Sequence, residues 1–437
     1  MKGLRSYLNK ICGLILLFYI IFLFSCSGAF KTSSSEVTII VGDNSRAEIR
    51  IENITILKKL KTLLVRLPTS SANAQVSHPI PSYISSIKVT VNAPDMSPVI
   101  KSVDVNGQEV VIITIEVPNG LKRHFVVDAL NAYGTLLNRG EALADLKGAP
   151  VTLVVDMPKT GLFVDATNGN DTNDCRTPST PCKNITNTLA KTQGNEAIYV
   201  AQGTYDYSLN GEAFPLTLPP GTALICDSSA VIDPMNISGG PGSAFEASQQ
   251  NHIHGCTFQN AWPAINDNGN PIIVSSIHVG SGSCVGVQIS ADTVVKGSIF
   301  ESMGWGGCDT YGGVYITGGS PVIENNSFIS SSIYSALTID GVSPVIRNNI
   351  IKNNSSIGIN VLSGAPIINN NIISCNSLSD LISESNVSFD ATNNSWDHAP
   401  PLTDSTGNCL NGMDICSISV TLPQYSPYLP PPQGACP

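Results

Sequence analysis

Between Gly312 and Trp396 the chain repeats one short pattern of apolar and polar positions. GGVYITGGSPVIENNSF starts at Gly312, SALTIDGVSPVIRNNII at Ser335 and IGINVLSGAPIINNNII at Ile357. Pro321, Pro344 and Pro366 are 23 and 22 residues apart, and Asn326, Asn349, Asn371 and Asn394 follow at 23, 22 and 23. A fixed short period marks a solenoid. Each unit holds short β-rich runs (VYIT, PVIEN, SFI) broken by Gly, Ser and Asn, and it is too short for a helix pair. The pattern predicts coils of a parallel β-helix, stacked at about 4.8 Å. Asn325-Asn326, Asn348-Asn349, Asn370-Asn371 and Asn393-Asn394 fall at the same corner. Asn tolerates the left-handed conformation a tight corner needs, and amides in register can bond along the axis. Two residues on, Phe328, Ile351, Ile373 and Trp396 read as an inward apolar stack, which Phe258, Ile277 and Phe300 extend upstream. The longer gap after Phe300 implies an insertion, and GWGGCDTYGG (Gly304–Gly313) supplies it. Glu324 and Arg347 occupy equivalent positions and are expected to meet on adjacent coils.

Upstream, EVTIIV, AEIRIEN, ISSIKVTVNA, EVVIITIEV, RHFVVDALNA and APVTLVVDM read as successive strands, with clear alternation in Ser86–Asn92 and Glu109–Val117. They predict an antiparallel β-sandwich over residues 36–157. LKKLKT (Leu57–Thr62) reads as a solvated basic patch. The segment Val117–Met157 resembles the transthyretin- or immunoglobulin-like sandwiches of bacterial surface lipoproteins, a resemblance that implies a spacer and names no activity.

The first residues follow a different pattern. Lys2, Arg5 and Lys10 precede the apolar run Ile11–Phe24, which has signal-peptide length. Leu23-Phe24-Ser25-Cys26 then resembles a bacterial lipobox of the looser, spirochaete type. The resemblance implies acylation at Cys26, and Ser27 resembles the outer-membrane sorting choice. Residues 1–25 are thus read as signal peptide and 26–35 as a lipidated tether.

LFVDATNGNDTNDCRTPSTPCKNITNTLAKTQGNEAIYVAQGTYDY from Leu162 carries Gly169-Asn170-Asp171, Pro181 with Ile185, Ile198–Val200 and Gly203-Thr204-Tyr205. It resembles the domain of unknown function that opens many bacterial pectate-lyase-like right-handed β-helices, and NNSWDHAPP (Asn393–Pro401) resembles their terminal coil. The expected fold is therefore all-β: an N-terminal β-sandwich followed by a right-handed single-stranded parallel β-helix over 158–408. A Cys- and Pro-rich cap follows at 409–437. A short helix at Asn184–Lys191 is expected to cover the open first coil.

Composition narrows the function. Of 437 residues only 13% are charged, and the net charge is −10. From residue 158 onward the cationic side chains besides His are Lys159, Arg176, Lys183, Lys191, Lys296, Arg347 and Lys352, and acids outnumber them about three to one. That balance argues against a nucleic-acid partner. Of twelve Cys, Cys12 lies in the leader and Cys26 at its end, and the other ten, beside an export signal, read as disulfides: Cys175 and Cys182, Cys226 and Cys256, and Cys284 and Cys308 fall in pairs along the chain, with Cys375, Cys409, Cys416 and Cys436 near the end, where the sequence leaves the connectivity open.

Candidate chemistry is sparse. A uronate lyase needs a basic proton abstractor, for which the solenoid offers Lys296, Arg347 and Lys352. A glycosidase needs two carboxylates about 5 to 9 Å apart; Asp309 and Asp340 are the leading candidates, with Asp267 and Asp292. None sits in a motif resembling the polygalacturonase signatures, and His252-Ile253-His254-Gly255 reads as a structural pair on a strand. No transition-metal spacing is present. The acidic loop with Asp165, Asp171 and Asp174 has hard oxygen ligands for Ca²⁺, against the plainer reading of an Asx turn network. Trp262, Trp305 and Tyr311, with Tyr315 and Tyr334, border an irregular region and either stack on sugar rings or plug gaps in the coil. The expectation is a membrane-anchored protein of the cell envelope that binds a glycan or matrix protein without catalysis. The alternatives are a polysaccharide hydrolase or lyase, and a purely structural envelope protein.

Overall fold

The computed structural model describes residues 34–41, 80–105, 107–108, 110–235, 242–304, 312–409, 411–419, 421–432 and 436. The described residues fall into two compact units: those within 1–80, 88–127 and 140–157 form the first, and those within 81–87, 128–139 and 158–437 the second. The leader, Cys26, AEIRIEN, LKKLKT, Trp305, Cys308, Asp309 and Tyr311 lie outside the described residues. No helix among the described residues is long and apolar enough to cross a membrane.

Seven described strands form a β-sandwich: β1 (Ser34–Val41), β2 (Ser86–Ala93), β3 (Met96–Asp104), β4 (Val111–Pro118), β5 (Gly120–Leu130), β6 (Leu136–Leu146) and β7 (Val151–Val154), of which the start of β2, the end of β5 and the start of β6 belong to the second unit and the rest to the first. They form the sheets β4-β1-β7 and β3-β2-β5-β6. Alternation drives this: in β4, Val111, Ile113, Ile115 and Val117 are buried and the residues between them exposed. The sandwich is not wholly antiparallel as the sequence suggested, because β1 pairs in parallel with β7. β3 and β6 carry charged and weakly alternating residues and gave no clear strand signal.

The second unit is a right-handed parallel β-helix with three sheets. In each regular coil a strand of sheet I (such as Val322–Glu324) turns at the Asn corner into sheet II (Ser327–Ile329), and the chain returns through sheet III (Ser335–Ile339). The second Asn of each pair is buried and forms the ladder: Asn349 Oδ1 accepts from Asn326 N at 2.9 Å and Nδ2 at 3.1 Å, and Asn371 and Asn394 repeat this one and two coils on. The first Asn supplies the left-handed backbone, with φ of 57°, 56°, 58° and 58° at Asn325, Asn348, Asn370 and Asn393. The two duties fall on different residues: the first Asn, more exposed, bends the chain and the buried second one joins the coils. A second ladder, unforeseen in the sequence, runs Ser331–Asn354–Asn376.

Inside, Phe258, Val279, Phe300, Phe328, Ile351 and Ile373 stack in register on sheet II. The Phe300 and Phe328 rings lie 4.6 Å apart and within 7° of parallel. Val279, not Ile277, is the member of this stack. Ile277 is also buried, but it stands in the ladder column, where its N–H donates to Ser298 Oγ. Glu324 and Arg347 are register partners joined at 2.8 and 3.0 Å.

The N-terminal opening is covered by α1 (Ile185–Leu189), shorter than the expected 184–191. Asn184 caps it, accepting from Asn187 N. The buried Glu212 carboxylate accepts from Ile185 N, Thr186 N and Thr186 Oγ1, holding the free N–H groups of the first turn. Disulfides join Cys175–Cys182, Cys226–Cys256, Cys375–Cys436 and Cys409–Cys416. Cys284 is also disulfide-bonded.

Candidate functional site

Alternation along sheet I turns one column of side chains outward. Phe163, Tyr199, Ile225, His254, Ser275 and Lys296 are successive register partners on it. The first members are aromatic. Phe163 and Tyr199 stack with centroids 5.4 Å apart, and the Lys159 ammonium sits 4.8 Å over the Tyr199 ring. Tyr83, from the 81–87 segment of the same unit, meets the His254 ring edge-on at 4.8 Å. Together they line a groove of about 570 Å³, with Phe163, Tyr199 and Ile225 as its floor. Its rim carries Lys159, Asp165, Gln202, Asp227 and Ser228.

Electrostatics in the groove are set by burial. Burial pushes the Tyr199 hydroxyl far above the ordinary tyrosine value, helped by neighbouring Tyr83, and that hydroxyl donates to the Leu137 carbonyl. Burial raises the Asp165 carboxyl, but the amides of Asn168 and Thr167 together outweigh it and hold the group below the usual aspartate value. Deeper in the column, burial and the nearby Lys296 charge push His254 down to about 4. Burial, with His254 and Lys296, pushes His252 down to about 3. Both imidazoles are therefore neutral at pH 7, and both contact Ser275 Oγ, from His252 Nε2 and His254 Nδ1 at 2.9 Å each. His252 Nδ1 is buried without a partner. The assignment that buries no unpaired N–H has His252 Nε2–H donating to Ser275, and Ser275 donating to His254 Nδ1. The two histidines are thus a structural pair on one face, bridged by a serine. The groove is a cavity with an aromatic floor, hydrogen-bonding groups around its mouth and one cation against two carboxylates.

The residues singled out by sequence are elsewhere. Trp262 is partly buried against the core of the helix, as a plug. Tyr315 faces outward on sheet III beside Gln288 and Thr338, and Tyr334 is exposed. Asp340 accepts from Ser363 Oγ at 3.2 Å, and Asp292 from Ser320 N. Asp267 is wholly buried and accepts from Gly269 N, Ser290 N and Oγ, Ala291 N and Thr293 Oγ1, which makes it a turn anchor. In the acidic loop, Asp165 accepts from Thr167 N and Asn168 N, Asp171 from Lys183 N and Asn184 N, and Asp174 from Arg176 N. That is the Asx network. The three do not bring ligand atoms to a common point, whereas Asp380, Asp397 and Asp414, which sequence reasoning passed over, do.

The model of the family described as "Protein of unknown function (DUF1565)" matches residues 167–403. The chain belongs to this family. The matched DUF1565 region runs from the loop after Asp165 to the start of the C-terminal cap, so it takes in most of the β-helix and the rim residues Gln202, Asp227 and Ser228. No curated protein matches the chain. Among solved structures, it is similar to pectate lyase Pel9A, at 13% identity over 62% of this chain and 79% of that one, with a TM-score of 0.39. It is also similar to an iota-carrageenase of family GH82 from A. fortis, at 9% identity over 52% and 55% with a TM-score of 0.30. Dex49A from Penicillium minioluteum is similar at 12% identity over 78% and 71%, with a TM-score of 0.26. These likenesses concern the path of the backbone only.

Proposed function

We propose that this DUF1565 protein is a lipid-anchored protein of the cell envelope whose β-helix binds a saccharide in the groove on sheet I. The supporting observation is the groove itself. Aromatic rings offer apolar surface to the C–H faces of a sugar, while Asp165, Gln202, Asp227 and Ser228 offer acceptors and donors to its hydroxyls. Two rim carboxylates against the single Lys159 favour a neutral or amino sugar over a uronate. Binding without turnover is the favoured mode, because backbone amides on Asp165 hold it ionised, an acceptor for sugar hydroxyls and no proton donor, Asp227 also accepts from an amide, and the two histidines are neutral and hydrogen-bonded. The lipid anchor at Cys26 follows from the leader and places the helix at a membrane surface, where a rigid solenoid suits display.

A glycan array probed with the soluble chain from residue 27, followed by calorimetry on each hit, tests this reading. The expected result is micromolar to millimolar binding that weakens at least tenfold in Tyr83→Ala and in Asp227→Ala. A blank array would favour a purely structural role. Release of reducing sugar or unsaturated uronate from a bound glycan would establish the hydrolase or lyase reading instead.

A further inference from the structure

The last coil of the helix holds three carboxylates that the groove does not use. Asp380 and Asp414 lie opposite each other on adjacent parallel strands, between the register pairs Ser379↔Met413 and Leu381↔Ile415. One oxygen of each, and one of Asp397, lie within 4.8 Å of one another. Asp380 is 1% exposed and Asp414 0%. Upstream in the same column stand Gly358 and Ala336, small residues that carry no charge. Three like charges converging in a buried corner are strongly unfavourable unless something positive joins them. No Lys or Arg pairs with any of them among the described residues; His398 Nδ1, 3.1 Å from Asp414, is the one basic partner, and it is itself half exposed.

A second observation separates this cluster from the acidic loop near the other end of the helix. Asp380 Oδ1 accepts from both Asn376 N and Nδ2, but Asp380 Oδ2 is buried without any hydrogen-bond donor. Elsewhere the fold supplies donors to buried aspartates, five groups in the case of Asp267. A carboxylate oxygen stripped of water and given no donor is a vacant ligand position.

We propose that Asp380, Asp397 and Asp414 bind a calcium ion that fastens the C-terminal cap strand to the last full coil. Ligand oxygens on opposite sides of Ca²⁺ at about 2.3–2.6 Å lie up to about 5 Å apart, so a mutual separation within 4.8 Å lets the three converge on one ion with at most small side-chain adjustment. The donor set is oxygen only, because the nearby Cys375 and Cys436 sulfurs are committed to a disulfide, which disfavours soft metals. Leu402 N and His398 engage Asp414 Oδ2 at 2.7 and 3.1 Å and orient its carboxylate from behind. Asp397 is half-buried, which leaves a side of the site open to solvent water for the remaining coordination positions.

The test uses the full mature chain, stripped with EGTA and titrated with CaCl₂ at pH 7.5 by calorimetry, with melting followed in parallel. One ion per chain is expected, and 5 mM Ca²⁺ is expected to raise the melting temperature by about 3 °C or more. Asp380→Asn and Asp397→Asn are each expected to raise the calcium Kd at least tenfold and to abolish the shift. Asp380→Asn relieves the buried charge, so in EGTA it should melt no lower than wild type, which separates lost binding from lost folding. No binding by wild type at millimolar Ca²⁺, or undiminished binding by both variants, would overturn the assignment. The groove on sheet I plays no part in either outcome.

Discussion

Removing one amide from the buried ladder should cost far more than altering its exposed neighbour. In Asn349→Ala, the Asn326 N–H loses its acceptor Asn349 Oδ1, and the Asn326 side-chain amide loses the same oxygen. Ile323 O and Asn371 Oδ1 each lose a donor. One backbone N–H stranded in a buried corner costs about 1–3 kcal/mol, and each of the three further lost bonds about 0.5–1.5 kcal/mol, so the total is about 3–7 kcal/mol. Asn348→Ala removes no ladder bond and only places Ala at φ 56°, a cost of about 1–2 kcal/mol. Asn348→Gly should be neutral or nearly so. A solenoid need not unfold in one step, so the assay is hydrogen exchange of peptides covering 320–333 and 343–356, read beside urea denaturation. Asn349→Ala should raise exchange in both peptides, and Asn348→Ala only in the second. Equal losses for Asn348→Ala and Asn349→Ala would refute the division between a bending residue and a joining residue.

Other consequences follow from the same geometry. His252 and His254 titrate near 3 and 4 in the folded chain and near 6.5 when unfolded. The unfolded state therefore takes protons first, and stability falls as pH drops from about 6.5 towards 4. Between pH 7 and 5 each contributes a loss of about 2 kcal/mol, and denaturation of a His252→Asn/His254→Gln double variant should show a shallower acid limb than wild type. Phe328→Ala empties the stack between Phe300 and Ile351 and should cost about 3–5 kcal/mol by urea denaturation. A double-mutant cycle on Glu324 and Arg347 should give under about 1 kcal/mol, because the Arg347 side chain is 48% exposed.

The coils were legible because proline, aliphatic and asparagine positions recur together, and each marks a different physical duty. Where the Asn pair is missing, register blurs. Ile277 and Val279 are both buried and two residues apart, so hydrophobicity alone could not say which belongs to the stack beneath Phe300. The ladder column holds Ile277 itself at that level and Ser298 one coil on, in place of Asn, a weaker signal. The groove was invisible for another reason. Phe163, Tyr199 and His254 come from coils whose spacing changes, and only their shared outward register brings them together, while Tyr83 arrives from the 81–87 segment, outside that register. Asp380 could have been noticed, since it replaces Gly358 when the coils are aligned. Asp414 leaves a fainter trace: MDICS repeats SDLIS of Ser379–Ser383 at the Asp and the final Ser, but it comes 34 residues on, outside the 22–23-residue period.

The proposal of a saccharide groove is tested most directly by a crystal structure of the chain bound to an oligosaccharide selected on the array. The account predicts sugar rings against Tyr83 and the Phe163–Tyr199 floor, with hydroxyls on Asp165, Gln202 or Asp227. A sugar bound anywhere else, with this groove filled only by water, would contradict it.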